Sequence, residues 1–146
     1  MPYYSDDKIH YTLGFLFDEA KRYVVLVYKL RGYRTERWNG LGGHIEASDP
    51  SDRDAMAREC HEESGVVVPA ESWQAFARIV TPKAQVHVFY AVTDDAWKAD
   101  TRTDERIGIH LIESLTDTMD DTPALIQLAF LHIKCGAVTL IHIPPK

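Results

Sequence analysis

The stretch from residue 38 to residue 66, WNGLGGHIEASDPSDRDAMARECHEESGV, decides the fold of this chain. Its first part is a glycine-rich loop, and its second part has the spacing of a helix between Ser51 and Ser64. Ser51 is a candidate N-cap, with Asp54 three residues later as a weak capping box, and Gly65 stands where a C-terminal cap belongs. The pattern predicts a tight loop that leads into a helix.

Three glutamates dominate this helix. Glu59, Glu62 and Glu63 are spaced i, i+3 and i+4, so all three carboxylates lie on one stripe. Like charges at these spacings destabilise an exposed helix by roughly a few tenths of a kcal/mol per pair, and a divalent cation reverses the sign. Oxygen ligands suit hard cations such as Mg²⁺ or Mn²⁺. A solvated acidic face is the alternative, but the preceding loop, with the Gly42 carbonyl as a further oxygen, favours a metal site.

The remaining sequence predicts strands around two helices. Residues 11 to 30 contain two β-branched and aromatic runs split by a polar segment at 18 to 22, which indicates a hairpin. Further strands are predicted at 66–68, 74–80, 85–92 and 107–111, a turn at 81–83, and a second helix over 123–133. This order predicts an α/β (α+β) sandwich, in which a mixed sheet is covered on both faces.

Composition limits the function classes. A chain of 146 residues with 45% apolar residues builds one domain, expected to span 1–146. The net charge of -6 and the absence of any long basic run argue against a nucleic-acid polymer as partner. The N-terminus has no signal-like pattern and no apolar run is long enough for a membrane, so we expect a cytoplasmic protein. Cys60 and Cys135 match no metal-ligand spacing and are expected to be reduced.

The segment from Gly43 to Val66 resembles the Nudix box, G-x5-E-x7-R-E-U-x-E-E-x-G-U, where U is a bulky apolar residue. The half that starts at Arg58 is matched in full, with Cys60 as the first U. The resemblance implies a Nudix-type αβα sandwich and hydrolysis of nucleoside diphosphates linked to another group. The chain departs from the pattern at Asp49, which replaces the glutamate and is followed by eight residues rather than seven before Arg58. No role is therefore carried onto Asp49.

The same resemblance implies a metal site and its chemistry. Arg58 would orient Glu59 through a charge-assisted hydrogen bond. Bound Mg²⁺ or Mn²⁺ would neutralise the diphosphate and activate a water molecule, and the base that takes its proton stays open between Glu59 and Glu105. The implied metal ligands are Gly42, Glu59, Glu62, Glu63 and, as an additional candidate, Glu105.

Outside the box the chain resembles the MutT-like diphosphatases of oxidised purine nucleoside triphosphates such as 8-oxo-dGTP. The similar strings lie at 11–13, 29, 31–33, 37–40, 86–89 and 104–106. The implied substrate-binding residues are Thr12, Lys29, Asn39, Gly43, Asp120 and Asp121.

The base-binding part of this resemblance has an open alternative and one departure. Asp120 and Asp121 also suit the N-cap of the helix that starts near Pro123. The subfamily carries a Trp two residues before the Asp pair, where this chain has Thr118, and Tyr33 is another candidate aromatic surface.

The leading hypothesis is hydrolysis of a modified purine nucleoside triphosphate to the monophosphate and pyrophosphate by a monomer or homodimer whose partner is a small nucleotide. One alternative is another nucleoside diphosphate derivative, such as a nucleotide sugar, ADP-ribose or a dinucleoside polyphosphate. A non-catalytic nucleotide sensor on the same fold is the other.

Overall fold

The computed structural model describes residues 6–31, 36–136 and, as backbone, 139–142. The predicted hairpin consists of β1 (Ile9–Phe17) and β2 (Tyr23–Tyr28). Asp18 closes the turn between them, because its carboxylate accepts hydrogen bonds from the backbone N–H groups of Arg22 and Tyr23, both at 3.0 Å. Lys21 takes a positive φ of 57° in this turn. The polar split between the two apolar runs therefore marks the hairpin correctly.

The strands of the described residues form one mixed sheet. β1 pairs antiparallel with β2 but parallel with β5, and β2 also pairs with β6 along its other edge. The main path runs β3-β2-β1-β5-β4-β7. The remaining strands are β3 (Trp38–Asn39), β4 (Gln74–Val80), β5 (Ala84–Val92), β6 (Ile107–Leu111) and β7 (Thr139–His142).

Helix α1 (Asp52–Ser64) has the predicted caps. The Ser51 hydroxyl accepts from the backbone N–H of Asp54 at 3.1 Å, and Gly65 ends the helix with φ 76°. Helix α2 (Thr122–Cys135) is slightly longer than predicted and ends at Gly136 with φ 71°. Left-handed glycines of this kind satisfy the last carbonyls of a helix.

The two helices cover opposite faces of the sheet. Met56 and Cys60 of α1 pack in one buried cluster with Val25 and Trp73. Leu125, Ile126 and Ala129 of α2 belong to a second cluster, which contains β1 side chains such as Phe15. The predicted sandwich, with a mixed sheet between helices, is confirmed.

One local prediction is wrong, and several short elements were not predicted. Residues 66–68 are not a strand: Val66 and Val68 are buried beside α1, so their apolar character reflects burial without ladder pairing. Strands β3 and β7 and three 3₁₀ turns, Ala70–Ser72, Asp94–Lys98 and Ile112–Ser114, were not predicted. Tyr33 lies outside the described residues. Within the described parts of the chain, no helix combines the length and the apolar character needed to cross a membrane.

Candidate active site

The glycine-rich loop lies between β1 and β2. Asn39 pairs with Val27 on β2, after which the chain crosses to β1 and forms bridges from Leu41 to Gly14 and from His44 to Tyr11. The Gly14 N–H donates to the Leu41 carbonyl at 2.6 Å. These backbone bonds fix the loop against β1 on both sides of Gly42.

Two glycines in this loop allow close approach. Gly42 has φ 151°, and a Cβ there would lie 2.0 Å from the Thr12 carbonyl oxygen. A Cβ on Gly43 would lie 2.6 Å from Oε1 of Glu59. No larger residue fits at Gly42 without moving β1, and Gly43 lets the α1 carboxylate rest against the loop backbone.

Arg58 is the hub that joins the loop to the acidic helix. Its Nη1 donates to Glu59 Oε1 at 3.1 Å and to Glu62 Oε2 at 3.2 Å, and its Nη2 donates to the His44 carbonyl at 3.1 Å. The guanidinium also donates to both carboxylate oxygens of Asp49, from Nε at 2.8 Å and from Nη2 at 2.9 Å. Arg58 thus holds two of the three helix carboxylates in place, as the resemblance implies for Glu59.

Asp49 has a clear structural position that the sequence did not reveal. A tight turn absorbs the additional residue: the Asp49 N–H donates to the Glu46 carbonyl at 3.0 Å, and the Glu46 N–H donates to Asp49 Oδ2 at 2.8 Å. Asp49 is only 4% exposed, and the hydrogen bonds from Arg58 hold its pKa below the ordinary value although burial opposes them. The sequence did contain one signal for this contact, because Asp49 is an acid where the Nudix box has a glutamate, although the spacing to Arg58 is one residue longer.

Glu63 is the most buried carboxylate of the helix. Its Oε1 accepts the Gly42 N–H at 2.7 Å, which joins α1 directly to the loop. Burial, together with the nearby charges of Glu59 and Glu105, raises the pKa of Glu63 to about 8, while Lys29 and the Gly42 N–H oppose the shift. Burial also raises the pKa of Glu59, opposed by Arg58. Burial is the largest cause of both shifts, so the ionised forms of these two carboxylates are poorly solvated in the protein alone.

Glu105 binds the backbone just after the end of β2. Its Oε2 accepts the backbone N–H groups of Leu30 at 2.6 Å and Arg31 at 3.3 Å, and its Oε1 lies 3.4 Å from the Lys29 ammonium. The side chain is 6% exposed. These bonds place Glu105 near the helix carboxylates, but its metal-binding or basic role stays a prediction.

The donor chemistry of this cluster fits a hard divalent cation. Its oxygens belong to Glu59, Glu62 and Glu63, and a bound cation would offset the cost of burying the ionised Glu63 carboxylate. Within the described residues, no three acidic, His or Cys side chains already converge as metal ligands do.

The start of α2 lies beside Asn39. The Trp38 N–H donates to the Asp117 carbonyl at 2.9 Å, and the Met119 N–H donates to the Trp38 carbonyl at 3.0 Å. The Thr122 hydroxyl donates to Asn39 Oδ1 at 3.3 Å. The structure therefore brings Asn39 and the Asp120-Asp121 segment together, as the predicted base site requires.

The two aspartates have different surroundings. Asp121 occupies the N-cap position of α2, but its side chain makes no capping hydrogen bond. Asp120 forms an ion pair with Arg37 at 2.7 Å. Side-chain capping of α2, the alternative considered for this pair, therefore does not account for Asp121.

Other predicted contacts lie closer to the loop. The Thr12 hydroxyl is 3.4 Å from both the N–H and the carbonyl of Gly43, and Thr12 is buried. Thr118, which replaces the expected ring, pairs with Trp38. The Trp38 ring packs edge-on against His110 with 4.3 Å between centroids, so an aromatic side chain does lie at this end of the sheet.

The structure is thus an α/β/α sandwich in which an acidic helix is held against a glycine-rich loop. A family model described as the NUDIX domain matches residues 10–120. The chain belongs to this family.

Solved structures support the same fold. The NUDIX domain of Shewanella oneidensis NrtR, crystallised with ADP ribose, is 15% identical over 88% of this chain and 90% of that chain, with a TM-score of 0.75. A MutT structure from a study of Aliivibrio salmonicida and Vibrio cholerae is 22% identical over 85% and 98%, with a TM-score of 0.69. An ADP-ribose pyrophosphatase from Streptococcus suis is 16% identical over 92% and 98%, with a TM-score of 0.69. No curated protein matches the chain.

Proposed function

We propose that this protein is a Mg²⁺-dependent pyrophosphohydrolase that converts a modified purine nucleoside triphosphate into the monophosphate and pyrophosphate. The observation that carries the proposal is the Arg58 hub, which holds Glu59 and Glu62 on one side of a loop that only glycine can form. A sensor that had lost its chemistry has no need to retain all three helix carboxylates. The family membership supports the hydrolase class.

The residues of the site have separate roles in the proposed hydrolysis. Glu59, Glu62 and Glu63, with the Gly42 carbonyl, would hold the cation, which supplies charge neutralisation of the diphosphate and a lower pKa for attacking water. Arg58 keeps the carboxylates oriented before the substrate arrives, and Asp49 keeps Arg58 fixed. Lys29, which lies 3.4 Å from Glu105, is close enough to contact a phosphate as the substrate enters.

The raised pKa values of Glu59 and Glu63 bear on the choice of base. A carboxylate that is partly protonated in the absence of the cation becomes a better proton acceptor than an ordinary glutamate, provided that it is ionised when the substrate binds. Because burial raises the pKa of Glu59, we assign the base to Glu59 and keep Glu105 as the second candidate.

The purine preference rests on Asn39. Its Oδ1 accepts the Gly40 N–H at 2.8 Å and the Thr122 hydroxyl at 3.3 Å, which fixes the orientation of the amide. Because a backbone N–H can only donate, the Nδ2 group is the end presented as a donor to a ligand. Asp121, the N-cap residue of α2 whose side chain makes no capping hydrogen bond, is the acceptor that we assign to the ligand. A donor beside an acceptor matches an edge of a purine that carries an oxo group.

A substrate panel tests this proposal. Purified protein with Mg²⁺ is incubated with normal and oxidised nucleoside triphosphates, ADP-ribose, nucleotide sugars and dinucleoside polyphosphates, and the products are identified by mass spectrometry. Among these compounds, we expect the highest kcat/KM for an oxidised purine nucleoside triphosphate, with pyrophosphate and the nucleoside monophosphate as products.

Other outcomes have distinct meanings. Release of a sugar phosphate from ADP-ribose at a higher kcat/KM would overturn the purine triphosphate assignment but keep the hydrolase. Binding of nucleotides without turnover, at any Mg²⁺ or Mn²⁺ concentration, would overturn the enzyme itself.

A further inference from the structure

A closed ring of polar side chains lies on the α1 face of the sheet, at the start of the helix. We call it the polar ring, and its members come from the segment before β1, from β1, β4 and β5. The members are Asp6, His10, Arg78, Gln85 and His87. Both histidines are buried, with 7% and 3% of their surface exposed, so their ring nitrogens have little access to bulk water.

The hydrogen bonds of the polar ring form two chains between one cation and one anion. In the first chain, Arg78 Nη2 lies 3.3 Å from His87 Nδ1, His87 Nε2 lies 2.9 Å from His10 Nδ1, and His10 Nε2 lies 2.8 Å from Asp6 Oδ1. In the second chain, Arg78 Nη1 donates to Gln85 Oε1 at 3.5 Å and Gln85 Nε2 donates to Asp6 Oδ2 at 2.6 Å.

The proton positions follow from the end groups. Arginine can only donate and an ionised carboxylate can only accept, whereas a neutral imidazole has one donor and one acceptor. With Arg78 as the donor at one end, His87 Nδ1 accepts, His87 Nε2 donates to His10, and His10 Nε2 donates to Asp6. Two neutral imidazoles satisfy every bond of the chain in a single direction.

Asp52 offers a second partner for the same nitrogen. Its Oδ2 lies 3.2 Å from His87 Nδ1, and it is the first residue of α1. The Asp52 carboxylate can hydrogen-bond to this nitrogen only when the nitrogen carries a proton. Arg78 can donate to it only when the nitrogen has a lone pair. Arg78 and Asp52 therefore compete for His87 Nδ1, and protonation decides which of them is bonded. In keeping with this contact, His87 holds the pKa of Asp52 below its ordinary value, against the effect of burial.

We propose that His87 is a proton-dependent positioning residue for α1. Without a proton on Nδ1, His87 accepts from Arg78 and the polar ring is closed. With a proton on Nδ1, His87 donates to Asp52 and ties the first turn of the acidic helix to β5. Among the described residues, the charged or titratable groups that face His87 are Asp52 from α1, Arg78 from β4 and His10 from β1, with Asp6 behind His10.

Two structural elements connect the polar ring to the candidate active site. The His10 carbonyl accepts the Ile45 N–H at 2.9 Å, in the same loop that carries Gly42 and Gly43. Asp52 begins the helix that carries Glu59 and Glu63. A change of partner at His87 therefore acts on the two elements that form the acidic cluster.

Nitrogen NMR of the imidazoles tests the proton positions directly. In full-length protein labelled with ¹⁵N, we expect His87 at about pH 8 to carry its proton on Nε2, with Nδ1 showing the shift of an unprotonated nitrogen. At about pH 5.5 both nitrogens should be protonated. The proposal is overturned if Nδ1 already carries the proton at the higher pH, or if it stays unprotonated at the lower pH.

Unfolding equilibria test the exchange of partners. Asp52→Asn removes the charged acceptor, so wild type should gain stability over this variant by about three- to tenfold in the unfolding constant between pH 8 and pH 5.5. Asp95→Asn is the matched control, because Asp95 forms an exposed ion pair with Lys98 at 3.0 Å. A constant difference between wild type and Asp52→Asn over this range would overturn the proposal. Neither measurement uses turnover, so failure here is distinct from failure of the proposed hydrolase.

Discussion

Two polar clusters lie against the same helix, one at each end, and they differ in charge balance. In the polar ring at the start of α1, hydrogen bonds through two histidines connect Arg78 to Asp6. The acidic cluster at the other end has Glu59, Glu62 and Glu63. There, burial and neighbouring carboxylates raise the pKa of Glu63 to about 8.

The difference separates a structural cluster from a binding site. A polar group inside a protein is costly unless its bonds are made, so a closed network is stable without any ligand. A buried cluster that retains uncompensated charge is stabilised when a ligand of opposite charge binds. The polar ring connects one carboxylate to one guanidinium, whereas the acidic cluster places three glutamates of one helix beside Arg58.

The largest expected effect is the loss of turnover in Glu62→Gln. This carboxylate is 54% exposed and bonds to Arg58, so its replacement removes a charge at the acidic cluster with little loss of packing. We expect kcat with Mg²⁺ to fall by roughly 10²- to 10⁴-fold while the circular dichroism spectrum is unchanged. Glu71→Gln, an exposed glutamate in the first 3₁₀ turn, is the control and should keep full activity. Activity in Glu62→Gln within a few-fold of wild type would break the comparison.

Gly42→Ala should have the next largest effect. The new Cβ would meet the Thr12 carbonyl oxygen at 2.0 Å, so β1 or the loop must move, and we expect a loss of about 3 kcal/mol or more in unfolding free energy. Gly136→Ala has a positive φ of 71° but nothing within 4 Å of its Cβ, and should lose about 1 kcal/mol. Chemical denaturation measures both. Equal losses would mean that the loop is not held against β1.

Asp49→Asn tests whether the acidic cluster depends on a fixed Arg58. The amide places a donor against the guanidinium, so one of two short bonds is lost in a buried position, and we expect a loss of about 2 kcal/mol in unfolding free energy. Calorimetric titration with Mn²⁺ should also show weaker binding, since Glu59 loses its orientation. Asp100→Asn, on an exposed loop, controls for the charge change. Unchanged metal affinity in Asp49→Asn would show that Arg58 needs no partner.

The smallest expected effect is a pH dependence of stability in metal-free protein. The folded pKa of Glu63, about 8, is raised above its ordinary value of 4.5, so the folded state holds a proton that the unfolded chain has released. The contribution of Glu63 to the unfolding free energy is then greatest below the ordinary pKa of 4.5, and it is lost as the pH rises to about 8. Glu63→Gln has no such proton.

Denaturation in EDTA at two pH values checks this sign. Wild type should lose about 1 kcal/mol relative to Glu63→Gln between pH 7 and pH 8, and added Mg²⁺ should restore part of it. Parallel pH profiles of the two proteins would show that Glu63 ionises normally, and the contrast between the two clusters would disappear.

Much of the fold could be predicted because its signals are local. The caps of α1, the hairpin around Asp18 and strands β4 and β6 each depend on residues within a few positions of one another. Residues 66–68 mark the limit of such patterns, because burial beside a helix and burial in a sheet select the same apolar side chains. The candidate site followed the same rule: the spacing of the three glutamates is local to one helix turn.

The sequence by itself determined the acidic stripe on α1, the glycine loop before it and the caps that set the ends of the helix. Only the tertiary structure decided their partners. Glu105 meets the backbone 75 positions earlier at Leu30, and His10 meets His87 across 77 positions. Such contacts depend on the register and order of strands, which hydrophobic periodicity leaves open. For this reason the sequence revealed the charge of the acidic cluster, while its compensation, and the existence of the polar ring, came from the fold.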